Sequence, residues 1–165
     1  MKKFRVLYLI YLIIITVVGF IPAKRTSTDM NKITIYFADK QMMRLVPVDY
    51  YISSKKPQKC AEIVIAELVK ERDYDSNIKR ILPADEDALS VDVKNDIAVV
   101  DLKSISFSNM EKGKLQEQLI VYQLVNSLSS IDGIKRVKFL IDGDAKKELF
   151  GFMDMREAYI PDYCI

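Results

Sequence analysis

The sequence predicts an α+β domain: a two-layer sandwich in which two helices pack on a mixed or antiparallel sheet, behind an N-terminal hydrophobic segment. Three observations carry that expectation. Five segments alternate apolar and polar residues with the period of a strand, and two repeat apolar residues with the period of a helix. The two kinds interleave in the order β-β-α-β-β-α-β, so each helix has a sheet face available for its apolar stripe.

The hydrophobic segment comes first. Met1-Lys2-Lys3-Phe4-Arg5 is a basic opening, and Val6 to Pro22 then runs 17 residues without a charge. A run apolar on every face lacks the periodicity of a buried amphipathic helix. It reaches the lower edge of the roughly 17–25 residues that span a bilayer. Ile21-Pro22-Ala23 is a poor small-x-small cleavage site, so residues 1–23 read as an uncleaved signal anchor, with a cleaved signal peptide as the alternative. The excess of positive charge before the segment keeps the N-terminus cytoplasmic and exports the remainder. No cysteine closes the hydrophobic run, so lipid attachment is not expected there. Residues 24–32 are polar and read as a linker, and 33–165 as one domain.

Within the domain, Ile33, Ile35 and Phe37 alternate with Thr34 and Tyr36 as a first strand. Val46, Val48, Tyr50 and Ile52 do so as a second. Pro47 cannot donate to a ladder, so that second strand is expected at an edge or paired on one side at that point. Ser54 and Pro57 mark the start of a helix, with Ser54 as its cap, and Ala61, Val64, Ile65, Leu68 and Val69 form one apolar stripe along it. A polar loop through Asp73 to Asn77 and Leu82-Pro83 leads to a hairpin. Its arms are Leu89–Val93 and Ile97–Leu102, and Asn95-Asp96 supplies the turn. Ser108-Asn109-Met110-Glu111 has the spacing of a capping box and opens the second helix, roughly Lys112 to Ser130. On that helix Gln116, Gln123, Ser127 and Ser130 share one narrow face, and apolar residues cover most of the rest, so it is packed on more than one side. Gly133 suits a left-handed helix end, and Val137, Phe139 and Ile141 form the last strand. The tail from Lys146 to Ile165 is less regular.

The residue inventory excludes most chemistry. The chain has no His, which removes the commonest general base and metal ligand. Five glycines form no phosphate-cradling loop, and there is no Gly-x-Ser-x-Gly elbow. Asp85-Glu86-Asp87 is the densest acidic cluster, yet it lacks the spacing and central Gly of a calcium loop and reads as a solvated loop. Asp101, Asp142 and Asp154 sit beside apolar residues without a base or nucleophile partner, as turn-forming residues do. Cys60 and Cys164 admit a disulfide if the tail folds back over the first helix; a buried, reduced Cys60 is the favoured reading. No catalytic residue, cofactor or metal site is nominated. Setting aside Lys2, Lys3 and Arg5 turns the formal charge of +2 into −1, which argues against nucleic acid as a partner. Tyr36, Tyr50 and Tyr51 leave open an aromatic surface for a small molecule or cell-wall glycan.

From Ile33 to about Tyr159 the chain resembles the GerMN domain, a sporulation and spore germination module of exported bacterial proteins. The resemblance lies in an ordered set of segments. Ile33-Thr34-Ile35-Tyr36-Phe37-Ala38-Asp39 is similar to the opening strand and Leu45-Val46-Pro47-Val48 to the second. Leu82-Pro83 stands at the Leu-Pro loop, and Ala98-Val99-Val100-Asp101-Leu102 at the second hairpin arm. Gln123-Leu124-Val125-Asn126-Ser127-Leu128 and Val137-Lys138-Phe139-Leu140-Ile141-Asp142-Gly143 resemble the signature helix and final strand. Two positions depart. Ala84-Asp85-Glu86-Asp87 replaces the usual glycine and threonine, and Gly151-Phe152 replaces a usual Gly-His, although Asp154 remains. No role of that histidine carries over.

The resemblance implies a non-enzymatic part in sporulation or germination machinery at an envelope membrane. Its implied partners are envelope or sporulation-complex proteins and the membrane itself, with self-association left open. The order helix-strand-strand-helix-strand in the second half also resembles the ring-building modules of secretion-type complexes, a likeness of fold that does not fix function.

Overall fold

The computed structural model describes residues 30–71, 77–145 and 147–165, and the segment read as the anchor, most of the linker and the loop at 73–76 lie outside them. Strands β1 (Asn31–Asp39) and β2 (Leu45–Ile52) precede helix α1 (Pro57–Val69). A two-residue strand β3 (Ile78–Lys79) precedes β4 (Leu89–Lys94), β5 (Ile97–Leu102), helix α2 (Lys114–Ser129) and β6 (Arg136–Ile141). The predicted order holds, with β3 added inside a segment whose polarity reads as loop.

The strands form two three-stranded ladders, β2-β1-β3 and β4-β5-β6, where the sequence led us to expect one sheet. The first is antiparallel. The second is mixed, with β4 and β5 antiparallel and β5 and β6 parallel. The division has a local cause. β1 pairs with β2 along its length, but β3 reaches only Ala38 and Asp39 on the other side. Over Thr34 and Tyr36 that second edge is taken by the hydroxyls of Ser130, the C-cap of α2, and of Ser127 within it, so no further strand adds there. Pro47 lies opposite Tyr36. Opposed residues of an antiparallel pair direct their backbone groups the same way relative to the ladder, both inward or both outward. Since the Tyr36 N–H turns away from β2, the missing N–H of Pro47 falls on the open edge, as expected from the sequence.

One apolar core joins the layers. Ile33, Ile35 and Phe37 of β1, Val64 and Leu68 of α1, and Val100, Phe139 and Ile141 of the second sheet all belong to one buried cluster. Helix α2 is buried almost continuously from Leu119 to Leu128 and packs against β1, β6 and α1. That matches its wide apolar arc.

Two N-caps differ from expectation. Lys56, not Ser54, is the N-cap of α1, and Pro57 starts the helix; Ser54 Oγ instead accepts the Lys56 N–H at 3.2 Å. The Ser108–Glu111 box does not form. Phe107 is buried by a 3-10 turn over Ser104–Phe107, and Ser108 closes that turn by donating to the Ile105 carbonyl at 2.7 Å. Helix α2 then starts at Lys114 after Gly113. The hairpin turn follows expectation, with Asn95 at φ 56°. Gly133 is left-handed at φ 91°, but it does not cap α2: the helix ends on a right-handed Ser130, and Gly133 lies in the following turn, closed by the Ile134 N–H donating to the Ile131 carbonyl.

Candidate functional site

The polar residues of α2 are the first place to look for a site, because a helix this deeply packed carries few polar groups without a use. Glu117, Gln123, Asn126 and Ser127 are all fully buried. Ser127 Oγ accepts the Tyr36 N–H at 2.8 Å, and Ser130 Oγ accepts the Thr34 N–H at 3.1 Å while donating to the Ser127 carbonyl. The serines therefore stand in for a neighbouring strand at the edge of β1. Asn126 does the same for the tail: its amide donates to the Asp162 carbonyl at 2.6 Å and accepts the Asp162 N–H at 3.0 Å. The Glu117 carboxylate accepts the N–H groups of Phe150 and Phe152 at 3.0 and 2.7 Å. Gln123 is the exception, since neither polar atom of its side chain has a partner among the described residues.

These contacts turn the irregular tail into a strap across α2. Tyr159 exchanges two backbone hydrogen bonds with Val137 on the outer edge of β6, and its ring meets Tyr122 and Phe139 edge-on. Burial pushes the Tyr159 hydroxyl above its ordinary pKa. Farther along, Tyr163 stacks on Tyr36 at 5.6 Å, and the Leu45 N–H donates to the Ile165 carbonyl at 3.2 Å. The strap thus touches both sheets. Its periodicity is weak because its fastenings are side-chain amides and carboxylates on another element.

The acidic residues singled out in the sequence are fastened to loops. Asp142, at φ 52°, accepts the Ser104 N–H and hydroxyl at 3.0 and 2.8 Å, which holds its carboxyl below the ordinary range with help from Lys147. Asp101 accepts the Gly143 N–H at 2.9 Å. Asp154 is gripped by the guanidinium and N–H of Arg156, and its carboxyl pKa falls to about 2. Asp85 accepts the Ser106 hydroxyl and the Asp87 N–H, capping a short 3-10 turn and lowering its own pKa. These partners make them connectors, in keeping with the turn-forming reading. The structure has two free cysteines: Cys60 is buried with its thiol donating to the Ser54 carbonyl at 3.3 Å, while Cys164 is exposed on the strap.

The three tyrosines do not form one surface. Tyr36 and Tyr51 share the outer face of the first sheet, where Asp49 joins Lys32 by an ion pair at 3.0 Å and Thr34 by a hydrogen bond. Tyr50 lies on the opposite face against Phe37, with ring centroids 6.3 Å apart. What the outer face gains is Tyr163, 58% exposed, which the tail delivers onto Tyr36. Sequence spacing could not place it there.

A concavity lies between α1 and the outer edge of β4, a groove of about 810 Å³. Its floor is apolar, with Ile65, Val69 and Leu89, and its rim carries Glu62, Lys70 and Arg80. Gln58 sits on the same β4 edge: its amide donates to the Val91 carbonyl at 2.9 Å and accepts the Val93 N–H at 2.7 Å. Arg80 donates to the Val69 carbonyl at the C-terminal end of α1, at 3.3 Å. Among the described residues the groove shows no hydrogen-bonded pairing of nucleophile and base. Among the described residues no helix is long and apolar enough to cross a membrane.

Residues 34–147 match a family model described as Germane, sporulation and spore germination. No curated protein matches the chain. Three solved structures share the fold. One, assigned as a lipoprotein from Clostridium perfringens, is 20% identical with a TM-score of 0.51, over 79% of this chain and 87% of that one. The tandem GerMN domains of the sporulation protein GerM from Bacillus subtilis are 24% identical with a TM-score of 0.54, over 70% of this chain and 40% of theirs. The first GerMN domain of that protein is 25% identical with a TM-score of 0.51, over 69% of this chain and 84% of its own length.

Proposed function

The chain belongs to the Germane family of sporulation and spore germination, and from that premise we propose that it is a non-catalytic domain, tethered to the membrane and facing outward, that binds other proteins of a spore-related envelope assembly. The observation that carries this reading is the family match across residues 34–147. Membership brings the process, and the deployment of polar groups brings the mode. The buried polar side chains of α2, Gln123 and the Ser129 hydroxyl apart, and the acidic residues at strand ends are engaged in holding the fold together, which leaves surfaces rather than a reaction centre to act. The basic opening and apolar run of residues 1–23 support the tether. The order α1-β4-β5-α2-β6, once the two-residue β3 of the other sheet is set aside, supports a surface of the ring-building type, through which copies of the domain would associate.

The alternative, a sensor of small molecules or cell-wall glycan, loses support from the division of Tyr36 and Tyr51 from Tyr50, because the remaining aromatic face is a flat sheet rather than a pocket. Deletion of the gene tests the proposal. We expect fewer heat-resistant spores, or spores that germinate poorly, with recovery on supplying the full chain. Unchanged sporulation and germination would remove it.

A further inference from the structure

The edge of β4 is half covered. Gln58 engages Val91 O and Val93 N, so the outward-facing backbone groups of this strand are those of Leu89, Val91 and Val93. Toward Leu89 the cover ends and the edge opens into the 810 Å³ groove. There the Leu89 carbonyl and the Val91 N–H have no hydrogen-bond partner among the described residues. An open row of backbone groups beside an apolar floor is a template for one more strand.

Charge narrows the occupant. On the groove's rim Glu62 is joined to Lys59 at 3.1 Å and Glu67 to Lys70 at 3.7 Å. Arg80, half-buried, spends one guanidinium nitrogen on the Val69 carbonyl and has no carboxylate partner among the described residues. Its remaining donors suit a carboxylate, which guanidinium binds in a forked geometry.

We propose that the groove between α1 and β4 binds an extended segment of a partner protein, which adds as a strand at Leu89–Val91 and directs an acidic side chain to Arg80. The β4 edge supplies affinity through backbone hydrogen bonds, and the apolar floor at Ile65 and Val69 takes an alternate side chain of the guest. The proposal draws on the interaction reading above only for its biological setting. Peptide binding is measured with purified protein, so its failure leaves the sporulation phenotype to stand or fall by itself.

The test is an amide-shift titration of the full-length chain in detergent micelles. The probes are two blocked peptides, acetyl-Thr-Val-Asp-Val-Thr-amide and its counterpart with Lys in place of Asp. The acidic peptide should shift the Leu89 and Val91 amides most and bind about tenfold more tightly than the basic one. Arg80→Gln should abolish that preference while leaving the fold unchanged. Val91→Pro deletes only the outward N–H, because the ladder to β5 runs through Ser90 and Asp92, and should abolish binding. Absence of binding up to about 5 mM peptide, shifts centred on another edge, or a charge preference that survives Arg80→Gln would each overturn the proposal.

Discussion

Ser127 Oγ accepts the backbone N–H of Tyr36 at 2.8 Å, so a helix side chain does for β1 what a neighbouring strand would otherwise do. The bond is long-range in sequence and sits where the first sheet ends. Ser127→Ala leaves a partly buried N–H without an acceptor, at a cost of about 1–3 kcal/mol. Urea denaturation should show the loss, and hydrogen exchange should quicken first at Tyr36. A change confined to exposed amides would contradict this role.

Gln58 plays the matching part for β4, through both ends of its amide. Gln58→Leu keeps the helix but strips both bonds, and we expect about 1–3 kcal/mol of destabilisation from two backbone groups deprived of partners. The uncovered edge should also raise the tendency to aggregate, measurable by light scattering on mild heating.

Glu117 fastens the strap by accepting from Phe150 and Phe152. Glu117→Gln exchanges one acceptor oxygen for a donor, so one of these N–H groups loses its partner. The expected cost is about 1–3 kcal/mol, with proteolysis appearing first near residues 150–152. Cleavage elsewhere, with that segment still protected, would count against the strap.

Gln123 should behave in the opposite sense. Its fully buried amide has no partner among the described residues, and Gln123→Met fills similar volume without polar atoms. Stability should therefore hold or rise, by up to about 1–3 kcal/mol, in calorimetry.

Acid should weaken the domain through its paired carboxylates. Asp154 has a folded pKa of about 2 against an ordinary value of 3.8, owing chiefly to Arg156. A depressed carboxylate pKa gives stabilisation that is fully present above the ordinary pKa. It is lost as the pH falls from about 5 through the folded value. Asp49, Asp85 and Asp142 are shifted the same way, by Lys32, Ser106 and Ser104 in turn. The midpoint of urea unfolding should fall across that window, and Asp154→Asn should reduce the slope.

The layout was legible in the sequence wherever one element's own periodicity decided it. The alternation at Ile33, Ile35 and Phe37, the stripe from Ala61 to Val69 and the positive φ at Asn95 and Gly133 are local consequences of local residues. What stayed hidden is long-range. Ser127, Ser130, Asn126 and Gln58 look like solvated polar positions until the backbone edges they serve arrive from distant segments. Ser108 shows the reverse failure: its spacing to Glu111 fits a capping box, but burial of Phe107 commits it to the preceding turn. The β4 groove was likewise invisible, because α1 and β4 build it jointly.

The central claim is that this member of the Germane family acts by contact with other envelope proteins. Quantitative crosslinking and pull-down of the tagged full chain from membranes of sporulating cells tests it most directly. The account predicts reproducible recovery of sporulation or envelope proteins in the membrane fraction, lost when residues 33–165 are removed. Recovery of no such protein, with the chain present and folded at the membrane, would contradict it.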